Sequence, residues 1–183
     1  MKWKEDVLLP DGRTVTLTRY QEFKGPYEIG DTPTESYYWF EFVNPDTGEK
    51  VRWETKREPG TVALLIHDKV PLLLTRPAFG SGLRDLGCPD PPYLLYRYAA
   101  GKWEHIDLKA MPLPRLRSNM TYAVKERRKE IEASNHHLSA DRTALSIYQY
   151  RPWILDFTKF EKQTFDPYNC NKRLNQLLAD DAK

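Results

Sequence analysis

Tyr37-Tyr38-Trp39-Phe40-Glu41-Phe42-Val43, then Asn44-Pro45-Asp46-Thr47-Gly48, then Val51-Arg52-Trp53-Glu54-Thr55 is the stretch that decides the fold. The first seven residues are aromatic or β-forming, the middle five carry turn chemistry, and the last five return as a second strand. Pro45 presets φ at the second position of the turn, and Gly48 can take the left-handed conformation that closes a bulged loop. Aromatics follow one another almost without a break, so a strand with side chains alternating across it must show aromatics on both faces.

The same grammar repeats on either side. Val7–Leu9, Pro10-Asp11-Gly12 and Arg13–Tyr20 form a hairpin in which Val15 and Leu17 share one face and Thr14, Thr16 and Thr18 the other. Val62–Ile66 and Val70–Leu74 flank His67-Asp68-Lys69, and both arms are continuously apolar, which places this pair centrally with both faces covered. Tyr93–Tyr98 and Trp103–Leu108 are joined by Ala99-Ala100-Gly101. Arg76–Pro92, with four prolines and three glycines, reads as a long surface loop.

After Pro114 the texture changes. Met120, Ala123, Val124 and Ile131 recur at helical spacing, with Ser118 or Asn119 as N-cap and Asn135 as stop. Leu138–Asp141 opens a short second helix that ends before Pro152, and Asp166-Pro167 starts a final one through about Ala179. The expected fold is mostly β within the α+β class: an antiparallel meander of about eight strands over residues 1–114. Two or three C-terminal helices, in residues 115–183, pack on that sheet as one domain.

Composition narrows the function. The chain has 183 residues, of which 40% are hydrophobic and 13% aromatic, enough for a packed core. Lys+Arg exceeds Asp+Glu by only two (28 against 26), so no broad field draws nucleic acid or an anionic membrane. The aliphatic run Val62–Ile66 falls far short of the roughly 20 residues of a transmembrane helix. The N-terminus lacks the apolar core and cleavage site of a signal peptide, consistent with a cytosolic protein or a mature exported domain. Cys88 and Cys170, if oxidised, close a loop whose chain-entropy contribution is about 4 kcal/mol. Alternatively, Cys170 is a small buried hydrophobe on a helical face with Leu174, Leu177 and Leu178.

Catalytic motifs are few. The four histidines, His67, His105, His136 and His137, lack the spacing of a metal site, and neither a metal nor a cofactor is expected. No Gly-rich phosphate loop and no Gly-x-Ser-x-Gly nucleophile turn occurs. Glu41, Glu54, Glu104 and Asp107 read as the solvent face of a half-buried sheet, paired across strands with Arg52 and Lys102. Arg115, Arg117, Arg127 and Arg128 are basic-patch candidates, although Glu126, Glu130 and Glu132 interleave with them as on an ion-paired helix. Arg127 alone projects toward the apolar stripe, where it covers the core edge or meets a buried acid. The binding candidates are the aromatics Tyr37, Trp39, Tyr96, Tyr98 and Trp103, wherever the helices leave a face uncovered.

Trp3-Lys4-Glu5-Asp6-Val7-Leu8-Leu9-Pro10-Asp11-Gly12 resembles the opening of a family of uncharacterised bacterial proteins, of the form Trp-basic-Glu-acidic-Val-Leu-Leu-x-Asp-Gly. Tyr27-Glu28-Ile29-Gly30, Gly87-Cys88-Pro89-Asp90-Pro91-Pro92-Tyr93, Gly101-Lys102-Trp103 and Ile106-Asp107-Leu108 are similar to its later blocks, and the resemblance covers roughly residues 3–112. Some members carry a lipoprotein-type signal before the Trp. The resemblance therefore implies a bacterial, envelope-facing or periplasmic protein and transfers no catalytic role. Together these readings lead to a non-enzymatic protein whose partner is another protein, in its specific form an immunity- or inhibitor-type protein at the cell envelope. The alternative is a small hydrolase or carbohydrate-binding protein that uses strand carboxylates and a Trp/Tyr platform.

Overall fold

The computed structural model describes residues 1–24, 34–56, 59–77, 83–84, 86–121, 127–143, 154–159 and 164–165. Among them are thirteen strands: β1 (Lys2–Leu8), β2 (Thr14–Lys24), β3 (Thr34–Val43), β4 (Lys50–Thr55), β5 (Pro59–His67), β6 (Val70–Pro77), β7 (Pro89–Asp90), β8 (Leu94–Ala99), β9 (Lys102–Ile106), β10 (Arg115–Arg117), β11 (His137–Leu138), β12 (Ile154–Asp156) and β13 (Thr164–Phe165). All four expected hairpins are present. Gly48 adopts φ 73° and its N–H donates to the Asn44 carbonyl at 2.8 Å, closing the turn as its composition requires.

The eight hairpin strands do not form one meander. They split into two sheets, ordered β11-β1-β2-β3-β4 and β5-β6-β8-β9. The apolar pattern explains the break. In β1 through β4 the buried residues alternate with exposed or half-buried ones, so that sheet has one face to bury, whereas β5 and β6 are apolar on both faces. Stacking the first sheet on the second satisfies both patterns at once. Val7, Leu17, Phe40, Phe42 and Val51 of the first sheet pack with Leu64, Leu73 and Tyr98 of the second. The opposite face of the second sheet buries Val62, Leu65, Leu72, Leu74 and Leu95 against Leu108, Met111, Leu116 and Leu155. The both-sides-covered reading of the third hairpin thus holds.

The expected helical layer is a correction. Among the described residues after 114, the α-helices are only Arg128–Ala133 and Ala140–Thr143, while β10 to β13 extend or cover the sheets. Residues 118–121 are themselves not helical, so neither Ser118 nor Asn119 is the N-cap expected there. Asn119 instead lies along edge strand β5 and imitates a peptide group: its Oδ1 accepts from Leu64 N–H at 2.9 Å. Its Nδ2 donates to the Leu64 carbonyl at 2.8 Å and, across to the first sheet, to the Leu8 carbonyl at 2.9 Å. Met120 then packs between the sheets, while Ile131 joins Trp3 and Leu138, so the presumed stripe serves two separate clusters. The helix does stop near Asn135, which takes φ 54°. The final helix expected from Asp166 lies outside the described residues.

Candidate functional site

One face of the five-stranded sheet stays open to solvent. The register aligns Lys2, Tyr20, Trp39 and Glu54 in a row across β1, β2, β3 and β4. Tyr20 and Trp39 stack with ring centroids 5.8 Å apart and planes 14° from parallel. From the other side of β3, the Arg52 guanidinium lies 4.4 Å from the Trp39 centroid, and Lys2 Nζ reaches 5.7 Å. The indole is thus flanked by a phenol from one neighbouring strand and a cation from the other. Beside it, the Tyr37 hydroxyl and Arg52 Nε each donate to Glu54 Oε2 at 3.0 Å. The Arg52 guanidinium, followed by the Tyr37 hydroxyl, holds the Glu54 carboxyl below its ordinary range. Glu41 meets Lys50 at 3.0 Å and Arg52 at 3.5 Å. Leu8 and Val43, 49% and 58% exposed, add apolar surface to the same face.

Of the five aromatic candidates, Tyr37 and Trp39 stand on this face. Tyr96, Tyr98 and Trp103 do not. They turn toward the first sheet and pack on the inter-sheet core, Trp103 meeting Trp53 edge to face at 5.5 Å and Tyr98 at 5.3 Å. The Trp103 indole N–H donates to the Arg52 carbonyl at 2.8 Å, which blunts the edge of β4. Tyr20 was absent from the sequence candidates. Its signal is the alternation that puts Thr14, Thr16 and Thr18 outward, which continued by two residues puts Tyr20 outward too.

A second polar cluster is internal. Glu5 and Arg19, 0% and 2% exposed, meet at 2.6 Å between the sheets. The guanidinium carbon sits 5.0 Å from both the Trp3 and the Tyr38 ring centroids, while its Nη1 donates to the Thr121 carbonyl and its Nη2 to Thr61 Oγ1. Trp3 Nε1 donates to Glu5 Oε2 at 3.2 Å. Burial is the largest influence on the Arg19 pKa and lowers it, but Glu5 and Tyr38 together outweigh it and the net direction is upward, so the charge is retained. Burial pushes the Tyr38 hydroxyl above its ordinary value of 10. Fully enclosed, this cluster joins the sheets and offers nothing to a substrate.

The basic candidates are not gathered. Arg115 and Arg117 flank Leu116 on β10 against the second sheet, with Arg115 paired to Asp156 at 3.1 Å. Arg127 is buried and meets Glu130, itself only half-buried, at 2.9 Å, while Arg128 pairs with Glu132 at 2.9 Å on a helix beside Trp3. Glu104 is likewise engaged by Lys102 and Arg97 on an open surface. No group of three or more potential metal ligands occurs among the described residues. An acid–histidine pair exists, His137 Nε2 to Asp6 Oδ1 at 3.1 Å, but Asp6 also accepts from Thr16 and the pair lies on the sheet edge. A shallow depression of about 310 Å³ between Leu108, Met111, Leu113 and Phe157 contains no carboxylate or imidazole. Cys88 is disulfide-bonded; Cys170 lies outside the described residues.

Fold and surface together define a β protein of two stacked main sheets and two small two-stranded ones, with one aromatic, ion-paired face presented to solvent. No family model, no curated protein and no solved structure matches the chain. Among the described residues, no helix is long and apolar enough to cross a membrane.

Proposed function

We propose that this is a non-enzymatic protein-binding protein whose contact surface is the open face of the five-stranded sheet, centred on Trp39. The observation that carries this reading is the Tyr20–Trp39–Arg52 stack. Trp, Tyr and Arg are the side chains that most often dominate protein interfaces. Here the stack and the ion pairs around it fix their rotamers before any partner arrives, which lowers the entropic cost of binding. Opposite charges balance across the face, which suits a protein surface of mixed polarity better than a polyanion. A disulfide at Cys88 fits an oxidising compartment, in keeping with an envelope or periplasmic setting and an immunity- or inhibitor-type role.

The hydrolase or carbohydrate reading draws less support. The strand carboxylates Glu41, Glu54 and Glu104 are spent on ion pairs with Arg and Lys. A sugar ring stacking on Trp39 would have to displace Arg52 or Tyr20. The test is affinity capture from bacterial envelope extract with the wild type, Tyr20→Ala, Trp39→Ala and, on the second sheet, Glu104→Gln. A specific protein retained by wild type and Glu104→Gln but lost by both aromatic variants supports the proposal. Retention by all four, or binding of glycans by the wild type alone, overturns it.

A further inference from the structure

The strand edges of the sandwich are closed unevenly. Asn119 lies along β5, and the Trp103 indole covers the Arg52 carbonyl on β4. β9, Lys102-Trp103-Glu104-His105-Ile106, ends the second sheet, and among the described residues no strand lies beyond it. Its geometry fixes which backbone groups face outward. β8 and β9 are joined by Ala100 and Gly101, at φ 50° and 78°, the left-handed pair of a tight hairpin turn. The residues flanking such a turn, Ala99 and Lys102, form a hydrogen-bonded pair, and bonded pairs then alternate along the ladder. Lys102 and Glu104 therefore direct their N–H and C=O groups to β8. Trp103 and His105 turn theirs to the outer edge, where they are a template for a further strand.

The side chains along that edge determine which strand fits. Lys102 is exposed and Glu104 half-buried, and both lie on the outer face, where Glu104 meets Arg97 at 3.3 Å and Lys102 at 3.2 Å. Their signs alternate at a spacing of two, the spacing of neighbours on one side of a strand. An antiparallel copy of β9, bonded through the outward groups, can be centred on Trp103, Glu104 or His105. Centred on Glu104, it sets two carboxylates opposite each other, which is unfavourable. Centred on His105, it sets Glu104 against Ile106 and Lys102 against Leu108, with no charge answered. Centred on Trp103, it sets Lys102 of each copy opposite Glu104 of the other, so that each Glu104 lies between Arg97 of its own chain and Lys102 of the second copy. The two Trp103 residues then exchange both N–H···O bonds, and His105 comes opposite Gly101, which has no side chain to obstruct it.

We propose that β9 is a self-pairing edge, through which two copies of this chain join their second sheets antiparallel about a twofold axis at Trp103, with Lys102 of each opposite Glu104 of the other. The product is one continuous sheet of eight strands, four from each copy. The interface is isologous and uses β9 of both copies, so assembly through this edge stops at two. One short strand from each side buries little area, which places the dimer in the weak, concentration-dependent class. The twofold axis of an antiparallel pair stands perpendicular to its sheet. Both five-stranded sheets therefore lie on the same side of the joined sheet, and both Trp39 faces point the same way. The inference goes beyond the partner-binding reading and stands without it, because Trp39 lies on the outer face of the other sheet and takes no part in the pairing.

Sedimentation velocity on the full chain, from about 1 μM to about 1 mM, tests it. The expected result for the wild type is a shift from the mass of one chain to that of two across this range. Lys102→Glu and Glu104→Lys each place like charges opposite one another at both ends of the pairing, and each should weaken association about tenfold or more. Mixed in equal amounts, these two variants should form a dimer again, since each supplies the sign that the other lacks. The chain carrying both substitutions should likewise pair with itself. His105→Pro removes an outward N–H, leaves the bonds to β8 in place and should abolish association. Circular dichroism checks that each variant is folded, and the regained dimer of the mixture separates lost pairing from lost structure. A wild type that keeps the mass of one chain throughout, single charge variants that associate as it does, a mixture of folded variants that fails to pair, or association that survives His105→Pro would each overturn the proposal.

Discussion

Arg19 donates to Glu5 at 2.6 Å in the space between the two sheets, and neither side chain is more than 2% exposed. Arg19 comes from β2 and reaches Thr61 on β5, so this ion pair ties the first sheet to the second. A buried pair of this kind contributes little net stability, because desolvation offsets attraction, yet breaking it is costly. Glu5→Gln should therefore lower unfolding free energy by about 3–5 kcal/mol, while Glu5→Leu combined with Arg19→Met should cost less than either change alone. Urea denaturation of the four species in a double-mutant cycle measures this. Additive losses would show that the pair is not coupled.

Two residues along β2, Gln21 is 1% exposed and neither atom of its amide has a hydrogen-bond partner among the described residues. Leaving an amide buried and unpaired costs about 1–3 kcal/mol. Gln21→Leu should raise stability by about 1 kcal/mol, a sign opposite to that of most core substitutions. A lower urea midpoint would count against this account of the site.

Asn119 makes a distinct contribution, because its amide replaces the neighbouring strand that edge strand β5 lacks. Asn119→Ala should cost about 2–3 kcal/mol through the backbone groups it strands. More diagnostically, amide exchange at Leu64 should speed up far more than at Leu73, which pairs with Leu64 from the other side. Equal acceleration at both positions would point to general loosening instead.

Strand period was legible in the sequence; sheet membership was not. Tyr37–Val43 alternates as read, with Tyr38, Phe40 and Phe42 buried and Trp39 outward. Which of the two faces of the fourth hairpin meets solvent depended on long-range stacking, so Tyr96, Tyr98 and Trp103 could not be placed from local pattern. Asn119 misled for a similar reason: an N-cap and a strand mimic use the same amide chemistry, and only the presence of β5 decides between them. The period itself makes a prediction. Phe40→Ala should cost about 3–5 kcal/mol, whereas Trp39→Ala, one residue away, should cost about 1 kcal/mol. Comparable losses in denaturant titrations would mean that Trp39 belongs to the core and is no contact surface.

The edge of the first sheet carries a pH dependence whose sign follows from Asp6. Burial pushes its carboxyl up, but the Thr16 hydroxyl and His137 together outweigh burial and hold it below the ordinary 3.8. A carboxylate whose folded value lies below its unfolded value stabilises the fold fully above the unfolded value. That contribution is lost as pH falls through the folded one. Stability should thus be level down to about pH 4 and then decline, as Asp6 protonates and loosens β1 from β11, where His137 pairs with Lys4. Asp11, Asp46 and Asp156 shift in the same direction, through Arg13 for the first two and Thr158 for the third, and steepen the same acid limb. Asp6→Asn should accordingly lower Tm at pH 7 yet lose less on further acidification than the wild type. Thermal melts between pH 2.5 and 7 would reveal this as converging curves, and parallel curves would show that Asp6 contributes nothing to the acid response.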